Sequence, residues 1–378
     1  IACQTSHRTL CLPTHNQHEA ALISSVDIIG APHLLAVCSH LHGQQELPLF
    51  KPKNDVTSPP INTLDFSDVH GQQHTKRALE IAAAGRHSLL MLGPPGTGKS
   101  MLAARLPSIL PLLSEEEAIE TASIYSISQH NLDTHQWRTP PFRSPHHSAS
   151  SVALVGGGSS PKPGEVSLAH HGVLFLDELP EFDRKVLEVL REPIENGKIS
   201  ISRANHQTEF PARFQLIAAM NPCPCGYLGD TSQRCQCNPV QISRYRNKIS
   251  GPLLDRIDMH IEVPRISSEM LRKGTNGGEQ SSAQIALRVH HSQIKALKRQ
   301  GQLNELLSTA QIKQHCQISD EDHQLLEQAI EKLGLSHRAY HRILRVSRTI
   351  ADMDHQTNIQ RHHLTEALSY RRMDKRVT

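Results

Sequence analysis

Aromatic residues are scarce. Seven Phe, five Tyr and one Trp make up 3% of 378 residues, too few for a base-stacking platform that grips single strands. No run of eighteen apolar residues occurs, so no segment reads as a membrane span. No stretch reads as a secretory leader, and the opening on Ile1 predicts a truncated N-terminus. Strong charge of either sign is absent: 40 Lys and Arg against 37 Asp and Glu leave +3. Any nucleic-acid contact must then come from local patches, not from a bulk field. Cysteine is not distributed as a disulfide framework. Four of the eight (Cys223, Cys225, Cys235 and Cys237) crowd into one stretch, which suits a reducing cytoplasm with one metal site.

What is present is organised in blocks. Residues 1–50 carry a short apolar-periodic unit too small to bury a core alone. Residues 51–64 are rich in Pro, Asn and Ser and read as a linker. From 65 to 266 apolar strands alternate with helical patterns, which predicts an α/β domain with a parallel sheet. A second polar break covers 267–280, and 281–378 are helical in pattern.

The chemistry begins at "LLMLGPPGTGKSM". An apolar strand runs into a glycine-rich loop, which runs into a helix. Gly93, Pro94, Pro95, Gly96, Thr97, Gly98, Lys99, Ser100 and Met101 form the expected ATP cradle. The glycines let backbone N–H groups face a phosphate, and the helix N-terminus adds its positive dipole end. Lys99 is expected on the β- and γ-phosphates and Ser100 on Mg²⁺. "GVLFLDELPEF" is the partner, a buried strand ending in two carboxylates. Asp177 would help hold Mg²⁺, and Glu178 would orient and deprotonate the attacking water. A third strand, "FQLIAAMNP", ends at Asn221, placed to position that water.

Arginines supply the next candidates. Arg256, flanked by Asp255 and Asp258, reads alone as a surface ion pair. Beside a P-loop it becomes a candidate finger for a neighbour's ATP. Arg338, Arg342 and Arg345 form a basic helix face, from which one side chain could reach a γ-phosphate; a solvated face is the alternative.

Two further stretches could grip a polyanion. Phe142–Gly172 is dense in His, Ser, Gly and Pro, and reads as a backbone that bends and moves. Its Arg143, His146, His147 and Lys162 are donors suited to phosphate oxygens without reading bases. Lys198–Arg203 alternates Ile with Ser and reads as a hairpin arm with its tip near Arg203, Ala204, Asn205 and His206, with Asn196-Gly197 ending the helix before it. The alternative is that both pack subunit against subunit. The two C-x-C pairs, nine residues apart, can complete a tetrahedral structural Zn²⁺ site or stand as free thiols.

The set "VHGQQHTKRALEIAAAG", "GPPGTGKS", "LFLDELPEF", "AAMNPCPCG", "SGPLLDRID" and "RAYHRILRVSRTIAD" resembles the magnesium-chelatase-like AAA+ ATPases, and most closely the ComM/YifB competence-protein family. The resemblance runs from about Asp65 to Arg372. It implies a P-loop AAA+ parallel-sheet core, a C-terminal helical lid, and a partial Lon-like domain in residues 1–50. It also implies sensor 1 at Asn221, an arginine finger at Arg256 and sensor 2 at Arg338. The inserted stretch would project into a central channel, and the hairpin would match one that touches nucleic acid in related helicases. The function expected is an ATP- and Mg²⁺-using, hexameric DNA motor that drives branch migration during transformation. The rivals are a chelatase-type subunit and a MoxR-like remodelling chaperone that makes no nucleic-acid contact.

Overall fold

Strand alternation explains the layers. In the central sheet, Leu89, Met91, Phe175, Ile217 and Ile261 join one buried apolar cluster, while Leu90, Leu92, Leu174, Leu176 and Leu216 join a second. Successive side chains on a strand point to opposite faces. Leu89–Leu92 and Val173–Leu176 are unbroken apolar runs because both faces are covered, as parallel sheets require. Each fully buried leucine contributes roughly 2 kcal/mol.

The structure, a computed structural model, describes residues 2–23, 26–51, 64–128, 136–158, 161–203, 206–230, 234–265 and 279–371, with backbone alone at 202, 203, 206 and 207. The side chain of Arg203, the linker 267–278 and most of the linker 51–64 lie outside the described residues. In chain order the strands are β1 (Leu10–Pro13), β2 (Ile28–Ala31), β3 (Leu89–Leu92), β4 (Phe142–Arg143), β5 (Gly156–Gly157) and β6 (Lys162–Pro163). They continue with β7 (Val173–Leu176), β8 (Lys198–Arg203), β9 (His206–Pro211), β10 (Gln215–Met220) and β11 (Met259–Glu262). The central sheet has the order β11-β3-β10-β7-β4, and every pair in it is parallel.

The chain divides into two units, residues 1–61 with 113–139 and residues 62–112 with 140–378. The smaller unit contains the parallel pair β1–β2 and the helices Leu34–Leu41 and Glu115–Ser128. Its apolar cluster joins Leu113, Ala118 and Trp137 to Leu22 and Ile119. The expected boundary at 65–266 is thus interrupted, because 113–139 groups with the N-terminal residues. Of the described N-terminal residues only Ile28, Ile29 and Ala31 are buried apolar side chains, and the segment with the helix Glu115–Ser128 adds Leu113, Ala118, Ile124 and Trp137.

The larger unit holds the central sheet and the C-terminal helices Ser282–Gln300, Thr309–His315, Asp320–Leu333, His337–Met353 and Arg361–Ser369. Four of these start at a serine (Ser281, Ser308, Ser319, Ser336) whose side chain accepts the backbone N–H three residues on. That contact satisfies one of the orphan donors at a helix start.

The stretch Phe142–Gly172 differs from expectation. It is built of ordered pieces: edge strand β4, the helix Ser151–Val155, the β5–β6 hairpin and the helix Glu165–Leu168. Leu154, Val166 and Ala169 enter the second apolar cluster. Burying these side chains fixes a segment that its Gly and Pro content marks as mobile.

Candidate active site

The C-terminal ends of β3, β7 and β10 bring the sequence-predicted nucleotide residues together. β3 runs into Gly93, and the helix Lys99–Arg105 begins after Gly98. Gly96 and Gly98 have φ of +76° and +85°, and a Cβ on either would point into open space. The left-handed backbone, not crowding, demands glycine there. Gly93 is different: a Cβ would lie 2.3 Å from the Val263 carbonyl oxygen, so this glycine serves the close passage of the chain after β11.

Lys99 is buried, and its Nζ donates to the carbonyls of Gly93 (2.7 Å) and Pro94 (3.0 Å) and to Asn221 Oδ1 (3.2 Å). Burial lowers its pKa, with the Asp177 and Glu178 carboxylates acting in the opposite direction. Ser100 Oγ donates to Asp177 Oδ2. The two oxygens form a hard donor pair at the loop mouth, the chemistry a Mg²⁺ ion takes.

Glu178 is exposed at the strand end with φ +51° and ψ +46°, a left-handed conformation uncommon for a residue with a side chain. Its carboxylate lies 3.4 Å from His147 Nδ1. His147, expected among the phosphate donors of the inserted stretch, lies beside Glu178 and edge-on to Phe182. Arg143, from the same expectation, makes a two-pronged contact with Glu165 at 2.6 and 2.7 Å. That pairing occupies the fork a phosphate would need. Lys198 pairs across the β8–β9 hairpin with Glu209 at 2.7 Å. His146 is exposed and contacts Ser148 at 2.8 Å, and Lys162 is exposed on β6.

The two arginine candidates lie elsewhere. Arg256 and Arg338 line a cavity of about 330 Å³ together with Ser88, Glu195, Asp258, Glu305, Arg342 and Arg345. Ser88 precedes β3 and Gly93 follows it. At about 3.3 Å per residue, the cavity and the loop mouth are separated by roughly 15 Å. Both arginines thus lie towards the strand ends opposite the loop. Arg256 is buried, donating from Nη1 to the Pro252 carbonyl and from Nη2 to Glu195 Oε1 at 2.6 Å. Arg338 is exposed, its Nη1 3.6 Å from the same oxygen. These guanidinium groups hold the Glu195 carboxyl below its ordinary pKa, Arg256 first.

Asp258 anchors the cavity floor. It accepts from Ser88 N (3.0 Å) and Ser88 Oγ (2.9 Å) and pairs with Arg342. Burial opposes its charge, but Arg342, His87 and the Ser88 contacts win and hold it at about 2. His87 is fully buried, with Nε2 2.7 Å from Thr349 Oγ1. Burial depresses its pKa to about 4 against the pull of Asp258. Glu195, His87 and Asp258 were missed as site residues in the sequence. Glu195 gives no motif signal beyond its place at the end of the helix before the hairpin.

The cysteine pairs do converge. The sulfurs of Cys223, Cys225, Cys235 and Cys237 lie within 4.8 Å of one another, with Cys223 3.4 Å from Cys225 and 3.8 Å from Cys235, and Cys225 3.7 Å from Cys235. A tetrahedron with 2.3 Å metal–sulfur bonds has edges of about 3.8 Å. The Tyr227 backbone N–H holds the Cys225 thiol down at about 6. The turn abuts the nucleotide loop: at Gly226, with φ +83°, a Cβ would come 2.7 Å from Pro95 Cδ.

A glycine-rich loop at the end of a five-stranded parallel sheet, an acid pair on the neighbouring strand end and a helical C-terminal region define a magnesium-chelatase-like AAA+ domain. Residues 65–271 match the family of magnesium chelatase subunit ChlI, and 279–371 match the ChlI C-terminal family. The chain is 52% identical over 376 residues to the competence protein ComM of Haemophilus influenzae, covering 99% of this chain and 73% of that protein. It is 50% identical over 370 residues to the uncharacterized protein YifB of Escherichia coli, covering 98% and 72%. Similarity extends at 26% over 174 residues to the magnesium-chelatase 38 kDa subunit of Cereibacter sphaeroides, covering 42% and 52%. The chain belongs to the ComM/YifB family of magnesium-chelatase-like AAA+ ATPases. No helix among the described residues is long and apolar enough to cross a membrane.

Proposed function

We propose that the protein is an ATP-hydrolysing motor that moves along DNA during competence, with each nucleotide site completed by the next subunit of a ring. The observation that carries this reading is the split of the machinery between the two strand-end edges of one sheet, where its strands begin and where they finish. Lys99, Ser100, Asp177, Glu178 and Asn221 gather at one edge, while Arg256 and Arg338 gather at the other, away from their own loop. In a head-to-tail ring the arginine edge of one copy faces the loop edge of the next.

In this scheme Gly93–Met101 cradle the phosphates, and Lys99 exchanges its carbonyl partners for β- and γ-oxygens. Ser100 and Asp177 are the residues that would hold Mg²⁺, and the ion, when bound, would supply charge neutralisation at the phosphates. Glu178 takes a proton from the attacking water, which Asn221 helps to place, and Arg256 and Arg338 of the neighbour meet the γ-phosphate. The β8–β9 hairpin, with Lys198 and Arg203, is the element proposed to touch the sugar–phosphate chain, with branch migration as the outcome. The relative's name, competence protein, supports that setting.

Full-length protein with ATP and Mg²⁺ tests the reading. DNA should raise ATP turnover several-fold, and the rise should fade with added salt. Turnover indifferent to polynucleotide would favour a chelatase-type or remodelling role instead. We also propose that the four cysteines hold a structural Zn²⁺ that braces Gly226 against Pro95. Metal analysis of protein purified without chelator should return one zinc per chain, and none would refute the site.

A further inference from the structure

Arg256 poses an electrostatic problem that the structure solves in an informative way. Its side chain is 6% exposed, and a guanidinium so placed needs an anion. Among the described ion pairs, that anion is Glu195. Arg256 Nε is buried with no hydrogen-bond partner. Nε and one terminal nitrogen form the edge of the fork that binds a phosphate or carboxylate two-pronged. Here one prong is on Glu195 and the other is empty. An incoming oxyanion that took both would have to displace Glu195.

Glu195 belongs to the helix Arg191–Asn196, which ends at Gly197 in the left-handed conformation and leads directly into β8. The base of the hairpin is closed by Ala212 N donating to the Gly197 carbonyl at 2.8 Å. Ile194 of the helix packs against the buried cluster that holds Ile199, Ile201 and Phe210 of the hairpin. Helix and hairpin base are therefore contiguous both in chain and in packing, so a shift at Glu195 bears on the hairpin. The Arg256 loop enters that cluster too, through Leu253, Leu254 and Ile257, and is tied in addition to the C-terminal helices: Arg342 donates to the Arg256 carbonyl (2.7 Å) and Ser336 to Asp255 Oδ1 (2.7 Å). The Glu195–Arg256 contact is thus the charged link between the hairpin-bearing helix and a segment held by the C-terminal helices.

We propose that Glu195 is a placeholder for the γ-phosphate of the neighbouring subunit's ATP, and that its exchange for that phosphate on Arg256 and Arg338 releases the helix and shifts the hairpin. The exchange swaps one anion for another on a buried cation, so neither state leaves Arg256 uncompensated. It rests on the proposed action of Arg256 on a neighbour's nucleotide, and it adds a route from that site to the polymer-facing element. Glu195 is a positioning residue and touches no reacting atom.

Amide hydrogen exchange of residues 191–211 in the assembled full chain, with and without a non-hydrolysable ATP analogue, tests the exchange without needing DNA. In the parent chain the analogue should raise exchange at 191–197 several-fold. Glu195→Gln, which keeps the shape and loses the charge, should show the raised exchange already without nucleotide and gain little on addition. Glu195→Ala is the second variant, with unchanged melting temperature as the control on folding. A parent chain whose 191–197 exchange ignores the analogue overturns the proposal, as does a Glu195→Gln response equal to the parent's. Arg256→Ala separates the two readings: if it hydrolyses ATP normally, the shared-site reading itself fails. If it is inactive while Glu195→Gln responds like the parent, only the placeholder fails.

Discussion

The two edges of the central sheet are built by different means. At the loop edge, backbone does most of the work: Gly96 and Gly98 open a concavity, and the charged side chains are few and close in sequence to a strand end. At the arginine edge, side chains do it. Arg256, Arg338, Arg342 and Arg345 face Glu195, Asp258 and Glu305, drawn from four separate segments. The loop edge accepts a polyanion with little rearrangement. At the arginine edge Glu195 already sits on Arg256, so an anion that took both prongs of that guanidinium would enter by exchange.

The largest expected effect separates the edges by reaction rather than by binding. Arg256→Ala should lower turnover in the assembled protein by about 10⁴-fold, within the range of arginine fingers, and leave nucleotide affinity unchanged. Equal loss of affinity, measured by fluorescent-nucleotide titration, would make the two edges one site. Close behind, Glu178→Gln should lower turnover by about 10³-fold with ATP still bound, as loss of a general base does. A variant hydrolysing ATP at the parent rate would remove the acid pair from the chemistry.

Smaller effects concern stability, and they should appear at the arginine edge. Asp258→Ala strips a buried anion from Arg342 and from both Ser88 donors. It should cost about 3 kcal/mol in urea unfolding. His87 supplies the pH dependence. Its pKa in the folded chain is about 4 against 6.5 in the unfolded one, so the folded state binds fewer protons between these values. Its contribution is complete above pH 6.5 and is lost as pH falls towards 4, by about 2 kcal/mol between pH 6.5 and 5. In His87→Gln the unfolding free energy should fall correspondingly less over that interval; an unchanged slope would assign the acid sensitivity elsewhere.

This contrast also governs what could be read from sequence. Residues 93–100 and 173–178 are contiguous, and their periodicity and glycine spacing carry their geometry, so the sheet and the nucleotide loop were legible. The cysteine cluster was legible for the same reason, with a short turn closing both pairs. The arginine edge was not. Arg256 is recognisable only beside a P-loop, Arg338 was expected near a γ-phosphate with no sign of whose, and Glu195 becomes visible only when the fold sets it against both. In the inserted stretch Gly156, Gly157 and Gly158 are the visible signal, while the burial of Leu154 and Val166 appears only in the fold. Residues 113–139 group with partners about a hundred residues upstream, which no local pattern signals.

The shared site is open to one direct measurement. Lys99→Ala chains lack the loop function and Arg256→Ala chains lack the arginine, so each should be inactive as a uniform assembly. Mixed before assembly, some boundaries would pair an intact loop with an intact arginine, and ATP turnover should reappear in proportion to those boundaries. A mixture no more active than the sum of its parts would contradict the division of the site between subunits.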